Sequence, residues 1–85
     1  MIVKDEQYCF ICGRPKTQVH HLVFGIALRK LAEEDKLVAP ICDQCHCAIH
    51  ENYAAGQMSK MIGQLCYEKT HTREEFRERY GRSYL

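Results

Sequence analysis

The chain has 85 residues, 12 of them Lys or Arg and 11 Asp or Glu, for a formal charge of +1. That is one domain, near the size at which an apolar core alone supplies only a few kcal/mol, and its balanced charge leaves only modest bulk steering toward a polyanion, so positive potential for nucleic acid must be concentrated near a bound metal. No apolar run is long enough to span a bilayer, and residues 1–3 give way at once to Lys4-Asp5-Glu6, so the expectation is no signal peptide and a reducing, cytoplasmic location.

Residues 1–8 read as a lead-in or an edge strand. Cys9 and Cys12 then form a Cys-x-x-Cys pair closed by the turn Gly13-Arg14-Pro15. The β-favouring run 17–24 predicts a strand, which Gly25 ends. In residues 26–35, Ile26, Leu28, Leu31 and Ala32 lie against a charged face at helical spacing. Residues 37–41 are expected to be extended, because Pro40 disfavours helix at Ala39. A helix should run from about Asp43 or His46 to Asn52, with Ala54-Ala55-Gly56 separating it from the next. Met58, Met61, Ile62, Leu65 and Cys66 make an apolar stripe on a helix of residues 57–68, and the methionines are expected to pack in the core. Thr72 with Glu75 forms a capping box for a last helix whose apolar face carries Phe76 and Tyr80, and Gly81 stands at its C-terminal cap. The pattern predicts a small α+β fold without internal repeats or linkers. It is a single domain over 1–85, with a metal-stapled core over 9–52 and a helical extension over 53–85.

The chemistry concentrates in residues 42–50, which hold three cysteines and two histidines. Cys42 and Cys45 have the gap of a zinc knuckle, a turn that aims two thiolates at one tetrahedral ion. Cys9 and Cys12 supply the matching pair, and in a reducing setting this spacing favours structural Zn²⁺ over disulfides. A sharing with Cys42, Cys45 and His50 in one site would strand Cys9 and Cys12. His46 and His50 are four apart, so on a helix their imidazoles lie on one face and can grip a second ion. The adjacent pair His20-His21 is the available complement. Alone, that pair would be ordinary strand histidines. On a regular strand, neighbours point to opposite faces, so both can serve one site only where the strand ends or kinks. Cys66 lies on the apolar stripe and Cys47 points away from the His46–His50 face, so both are read as packing residues. His71 is read as a surface residue, and the charges of the last helix as a solvated face. Arg14, Lys16, Arg29 and Lys30 flank the site in sequence and are the candidates for touching phosphates.

The order Cys-x-x-Cys, His-His, Pro-Ile-Cys-x-x-Cys-His and a further His, from Cys9 to His50, resembles the HNH endonucleases of the ββα-metal fold, in the zinc-knuckle form common in phages and prophages. The closing stretch 72–85 also looks like the tail of small phage-encoded HNH proteins. The resemblance implies a hydrolase acting on phosphodiesters of DNA and leaving 5′-phosphate and 3′-hydroxyl ends. His20, His46 and His50 would hold one catalytic divalent cation (Mg²⁺, Mn²⁺, Ni²⁺, Co²⁺ or Zn²⁺), and His21 would be the general base. The chemistry agrees, since hydrolysis needs a deprotonated water and positive charge where negative charge develops. It further implies a bacterial host cell as the setting, with a second copy or a phage or host protein as partner. One position departs from the family pattern: Leu37 stands where an Asn that orients the base is often found, and Asp35 or a backbone carbonyl is the expected substitute. Two other readings keep the zinc and drop the catalysis, a nucleic-acid-binding or protein-interaction module on an HNH scaffold and a structural zinc protein of a phage particle or assembly machine.

Overall fold

The computed structural model describes every residue from 1 to 85 and is organised around one antiparallel pair, β1 (Gln18–His21) against β2 (Val38–Ile41), with His20 opposite Ala39 and His21 opposite Val38. Four helices complete an α+β domain: α1 (Leu28–Glu34), α2 (Asp43–Glu51), α3 (Tyr53–Tyr67) and α4 (Arg73–Tyr80). The first strand is shorter than the expected 17–24, because Leu22 and Val23 turn inward to become fully buried core. Residues 1–8 form no edge strand. Instead the amides of Ile2 and Phe10 each donate one bond to a β2 carbonyl, of Val38 and Pro40 respectively, at 2.9 Å, which occupies an edge that would otherwise stay open.

The break between α2 and α3 falls at Asn52 and not at Ala54-Ala55-Gly56. Asn52 is extended (φ −107°, ψ 116°), its amide donates to the Ala48 carbonyl at the end of α2, and its side chain accepts from the Ala55 N–H at 3.0 Å. It thus caps two helices at once, and an Asn cap at this point outweighs the weak helix-breaking tendency of Gly56.

The methionine stripe does not face the core. Met58 and Leu65 are more than half exposed and Met61 is at the surface, while Ile62 and Cys66 are half-buried at the core's margin. The face that α3 buries is Gly56, Ser59, Gly63, Gln64 and Tyr67. Small residues let the helix backbone approach segment 22–24 closely: a Cβ on Gly63 would lie 2.8 Å from Val23 Cγ2 and 3.1 Å from Leu22 Cβ. Contact at that range leaves no room for the larger side chains, which are turned outward.

Two clusters make up the interior. Leu22, Val23, Ala32, Leu37, Tyr67, Phe76 and Tyr80 pack between α1, α3 and α4. Cys9, Ile41, Cys42 and Ile49 form a smaller group at the other end, half of it thiols. The last helix is built as its sequence indicates, with the reciprocal Thr72–Glu75 box, Gly81 left-handed at φ 87°, and Phe76 and Tyr80 buried. Cys47 is exposed rather than packed, and Cys66 rests against the larger cluster. No helix is long and apolar enough to cross a membrane.

Candidate functional site

The order β1, β2, α2 places Cys42, Cys45 and the four histidines of the site, and a turn ahead of β1 brings in the other two cysteines. Strand β2 ends at Ile41, Cys42 is the extended N-cap of α2 (φ −90°, ψ 163°), and Cys45 lies in the first turn of that helix. Across from them, residues 9–13 make a tight turn in which the Gly13 amide donates to the Cys9 carbonyl at 3.0 Å. Gly13 sits at φ 79°, a left-handed conformation that a side chain would oppose. Thr17 and Gln18 both donate to the Asp43 carboxylate, at 2.6 and 3.0 Å, and so tie the start of β1 to the N-terminus of α2. The two knuckles are thereby held face to face.

The sulfurs of Cys9, Cys12, Cys42 and Cys45 all lie within 4.8 Å of one another, and Cys12 Sγ is 3.5 Å from Cys42 Sγ. A tetrahedral set at a Zn–S distance of about 2.3 Å has sulfurs roughly 3.8 Å apart, so the spacing fits one ion. The ionisation pattern fits as well. Burial pushes the Cys9 thiol up, but the N–H groups of Cys12, Ile11 and Cys42 together bring it down to about 6. The nearby backbone N–H of Cys45 lowers Cys42. Cys45 is pushed up to about 12, first by burial and then by the sulfurs of Cys42, Cys12 and Cys9. Four thiolates this close repel one another, and a divalent cation removes the conflict. The four cysteines can hold a structural metal ion.

The histidines gather beside this cluster. His46 and His50 stand one turn apart on α2, with their Nε2 atoms 3.0 Å apart. His20 comes from the other arm of the fold, its ring centroid 5.2 Å from that of His46 and 5.8 Å from that of His50. Ligand nitrogens of the three lie within 4.8 Å of one another. His20 is almost fully buried, and its pKa is held down at about 4 by burial and then by His46, His50 and His21. Burial, followed by His50, also lowers His46. Imidazoles kept neutral in this way retain the lone pairs that a metal requires.

His21 is the last residue of β1, and the chain bends immediately after it, so both histidines of the pair reach one cleft. That cleft, of about 240 Å³, is bordered by His20, His21, His46 and His50 with Gln18, Val19, Phe24 and Arg29. Of the basic candidates, Arg29 is at the cleft. Lys16 and Lys30 are exposed away from it, and Arg14 hydrogen-bonds Gln44.

Asp35 does not reach His21. Its carboxylate accepts from Arg79 Nε at 2.6 Å and from the Tyr80 hydroxyl at 2.5 Å, fastening α1 to α4. The carboxylate beside His21 is Glu33, with Oε2 3.6 Å from Nε2, and Leu37 is core. Sequence reasoning missed Glu33, which lies two residues from the position it considered. It also missed Phe24, whose ring is 4.8 Å from His50 and 5.8 Å from His20, and Ser59, which hydrogen-bonds His20 at 2.8 Å. The signal for Ser59 was legible: Gly56, Ser59 and Gly63 fall at i, i+3 and i+7, a narrow small-residue face.

No curated protein and no solved structure matches the chain. A family model does match, over residues 2–71, a span that includes both cysteine pairs and the clustered histidines, and the chain therefore belongs to the family described as Protein of unknown function (DUF968).

Proposed function

We propose that the chain is a metal-dependent endonuclease of the HNH type, hydrolysing phosphodiester bonds in DNA. The observation that carries this reading is the meeting of His20, His46 and His50 beside His21 in one cleft, next to a four-cysteine cluster. The sequence of elements supports it too, since β1, β2 and α2 bring a strand-end histidine pair against a helical His-x-x-x-His, as a ββα-metal domain requires.

Each residue has a role in this proposal. Zn²⁺ on Cys9, Cys12, Cys42 and Cys45 ties the two arms together. A divalent ion on His20, His46 and His50 would supply Lewis-acid chemistry toward a phosphodiester. His21 lines the cleft without belonging to the ligand set, and takes the proton of the attacking water. The Glu33 carboxylate lies beside His21, with Oε2 3.6 Å from Nε2, too far for a direct hydrogen bond. Arg29 borders the cleft, where its charge offsets that of a phosphate. One such site cuts one strand, so a double-strand break requires a second copy or a partner.

The test is plasmid cleavage under Mg²⁺, Mn²⁺, Ni²⁺ and Co²⁺ by wild type and His21→Ala. The proposal expects the variant to lose cutting while keeping its metals and its melting temperature. Wild-type protein inert with all four ions defeats it.

A non-catalytic nucleic-acid-binding or interaction module on the same scaffold is favoured by one observation. Leu37 is buried in the core, so that position offers no side-chain amide to orient the base. Under that reading His21→Ala changes nothing.

A further inference from the structure

The hydroxyl of Ser59 sits between two acceptor-capable groups in the interior of the protein. Its Oγ is 2.8 Å from the Leu22 carbonyl oxygen and 2.8 Å from His20 Nε2. Ser59 is 3% exposed and His20 1%, so no bulk water competes for either bond. A hydroxyl has one proton, and a carbonyl oxygen can only accept. The Ser59 proton is therefore committed to Leu22, and the bond to His20 is satisfied only if Nε2 carries a hydrogen and donates it to Oγ. A neutral imidazole with its proton on Nε2 keeps its lone pair on Nδ1. His46 and His50 have no such partner, their Nε2 atoms facing each other.

We propose that Ser59, on a helix outside the ββα unit, is the positioning residue of the histidine site: it orients the His20 ring and sets its tautomer, leaving Nδ1 as the atom that ligates the metal. This rests on the histidine metal site of the proposed function. The close packing of α3 is what delivers the hydroxyl. Gly63, one turn after Ser59, and Gly56, one turn before it, let the helix backbone settle against segment 22–24 and α2. The carbonyl of Leu22, two residues from His20, closes the arrangement, so the strand end and the ring are held by the same oxygen. Groups that orient a metal-binding imidazole through its second nitrogen change metal affinity by about 10–100-fold when removed.

The experiment uses full-length protein with the cysteine site loaded with Zn²⁺. Co²⁺ is titrated into wild type, Ser59→Ala and Ser59→Thr, with thermal melts of all three, and the ring nitrogens of His20 are read by ¹⁵N NMR before Co²⁺ is added. Wild type should show His20 protonated at Nε2. Ser59→Ala should bind the second ion about 10–100-fold more weakly while keeping one Zn²⁺ per chain, and Ser59→Thr, which retains the hydroxyl, should recover most of the affinity. A His20 protonated at Nδ1 in wild type overturns the inference even if Ser59→Ala does not fold. Tight second-site binding that is equal in wild type and Ser59→Ala overturns the inference alone. Wild type that binds no second ion overturns the histidine site itself, and the positioning role with it.

Discussion

Stripping the ion from the cysteine cluster is the perturbation whose magnitude the fold sets most directly. A metal bridging Cys12 and Cys42 closes a loop of 30 residues. Chain entropy alone makes such a cross-link worth about 4 kcal/mol at room temperature. Little else holds this end of the fold: of its four buried members, Cys9 and Cys42 belong to the cysteine cluster, leaving Ile41 and Ile49 as the hydrocarbon. At the rate expected for a domain of this size, 4 kcal/mol corresponds to a fall in Tm of roughly 15–30 °C. The larger cluster of Leu22, Val23, Ala32, Leu37, Tyr67, Phe76 and Tyr80 contains no ligand. Loss of order should therefore begin at residues 9–17 and the start of α2, and spare α3 and α4 longest. The assay is a circular-dichroism melt of zinc-loaded and chelator-stripped protein, with zinc counted per chain and amide exchange read by residue. Stripped protein that melts within a few degrees of the loaded form, or exchange that rises evenly over the whole chain, would refute the assignment of this cluster as the staple.

Other substitutions probe separate parts of the structure. Gly63→Ala should destabilise by about 1–2 kcal/mol in a urea melt, because a 2.8 Å approach to buried Val23 puts the overpacking cost in the upper part of its range, about 2–3 kcal/mol, and better helix propensity returns only about 1; a variant as stable as wild type refutes the close approach of α3. Asp35→Ala should cost about 1–3 kcal/mol by leaving the buried Tyr80 hydroxyl without its acceptor and Arg79 with Glu34 alone, with the cutting rate per folded molecule unchanged. A rate that falls with stability intact would return Asp35 to the site. Arg29→Ala should weaken DNA binding alike across sequences and lower the salt slope by about 1, which a fluorescence-anisotropy series in salt measures. Cys47→Ala should keep its zinc and melt within a few degrees of wild type, since that thiol is exposed and outside the cluster; zinc loss on this change would redraw the ligand set.

The site was legible in the sequence where short-range geometry carries it. Cys-x-x-Cys is a turn wherever it binds metal, and His-x-x-x-His lies on one face of any helix, so Cys9 with Cys12, Cys42 with Cys45, and His46 with His50 could be paired by spacing. The capping box at Thr72 and the turn at Gly13 are local for the same reason. Phe76 and Tyr80 were legible as core because a single apolar pair left α4 no second face to bury.

What only the tertiary structure decided was which of several local options the packing would take. Two faces of α3 were available, and hydrophobicity alone favours Met58, Met61 and Leu65. The helix turned the other face inward because Gly56, Ser59 and Gly63 permit a backbone approach that longer side chains forbid, and that rotation put a hydroxyl on His20. Likewise Asp35 and Glu33 lie two residues apart in sequence, and the position of α4, which captures Asp35 through Arg79 and Tyr80, left Glu33 as the carboxylate beside His21. Sequence spacing determines which residues share a turn; long-range packing determines what each of those turns meets.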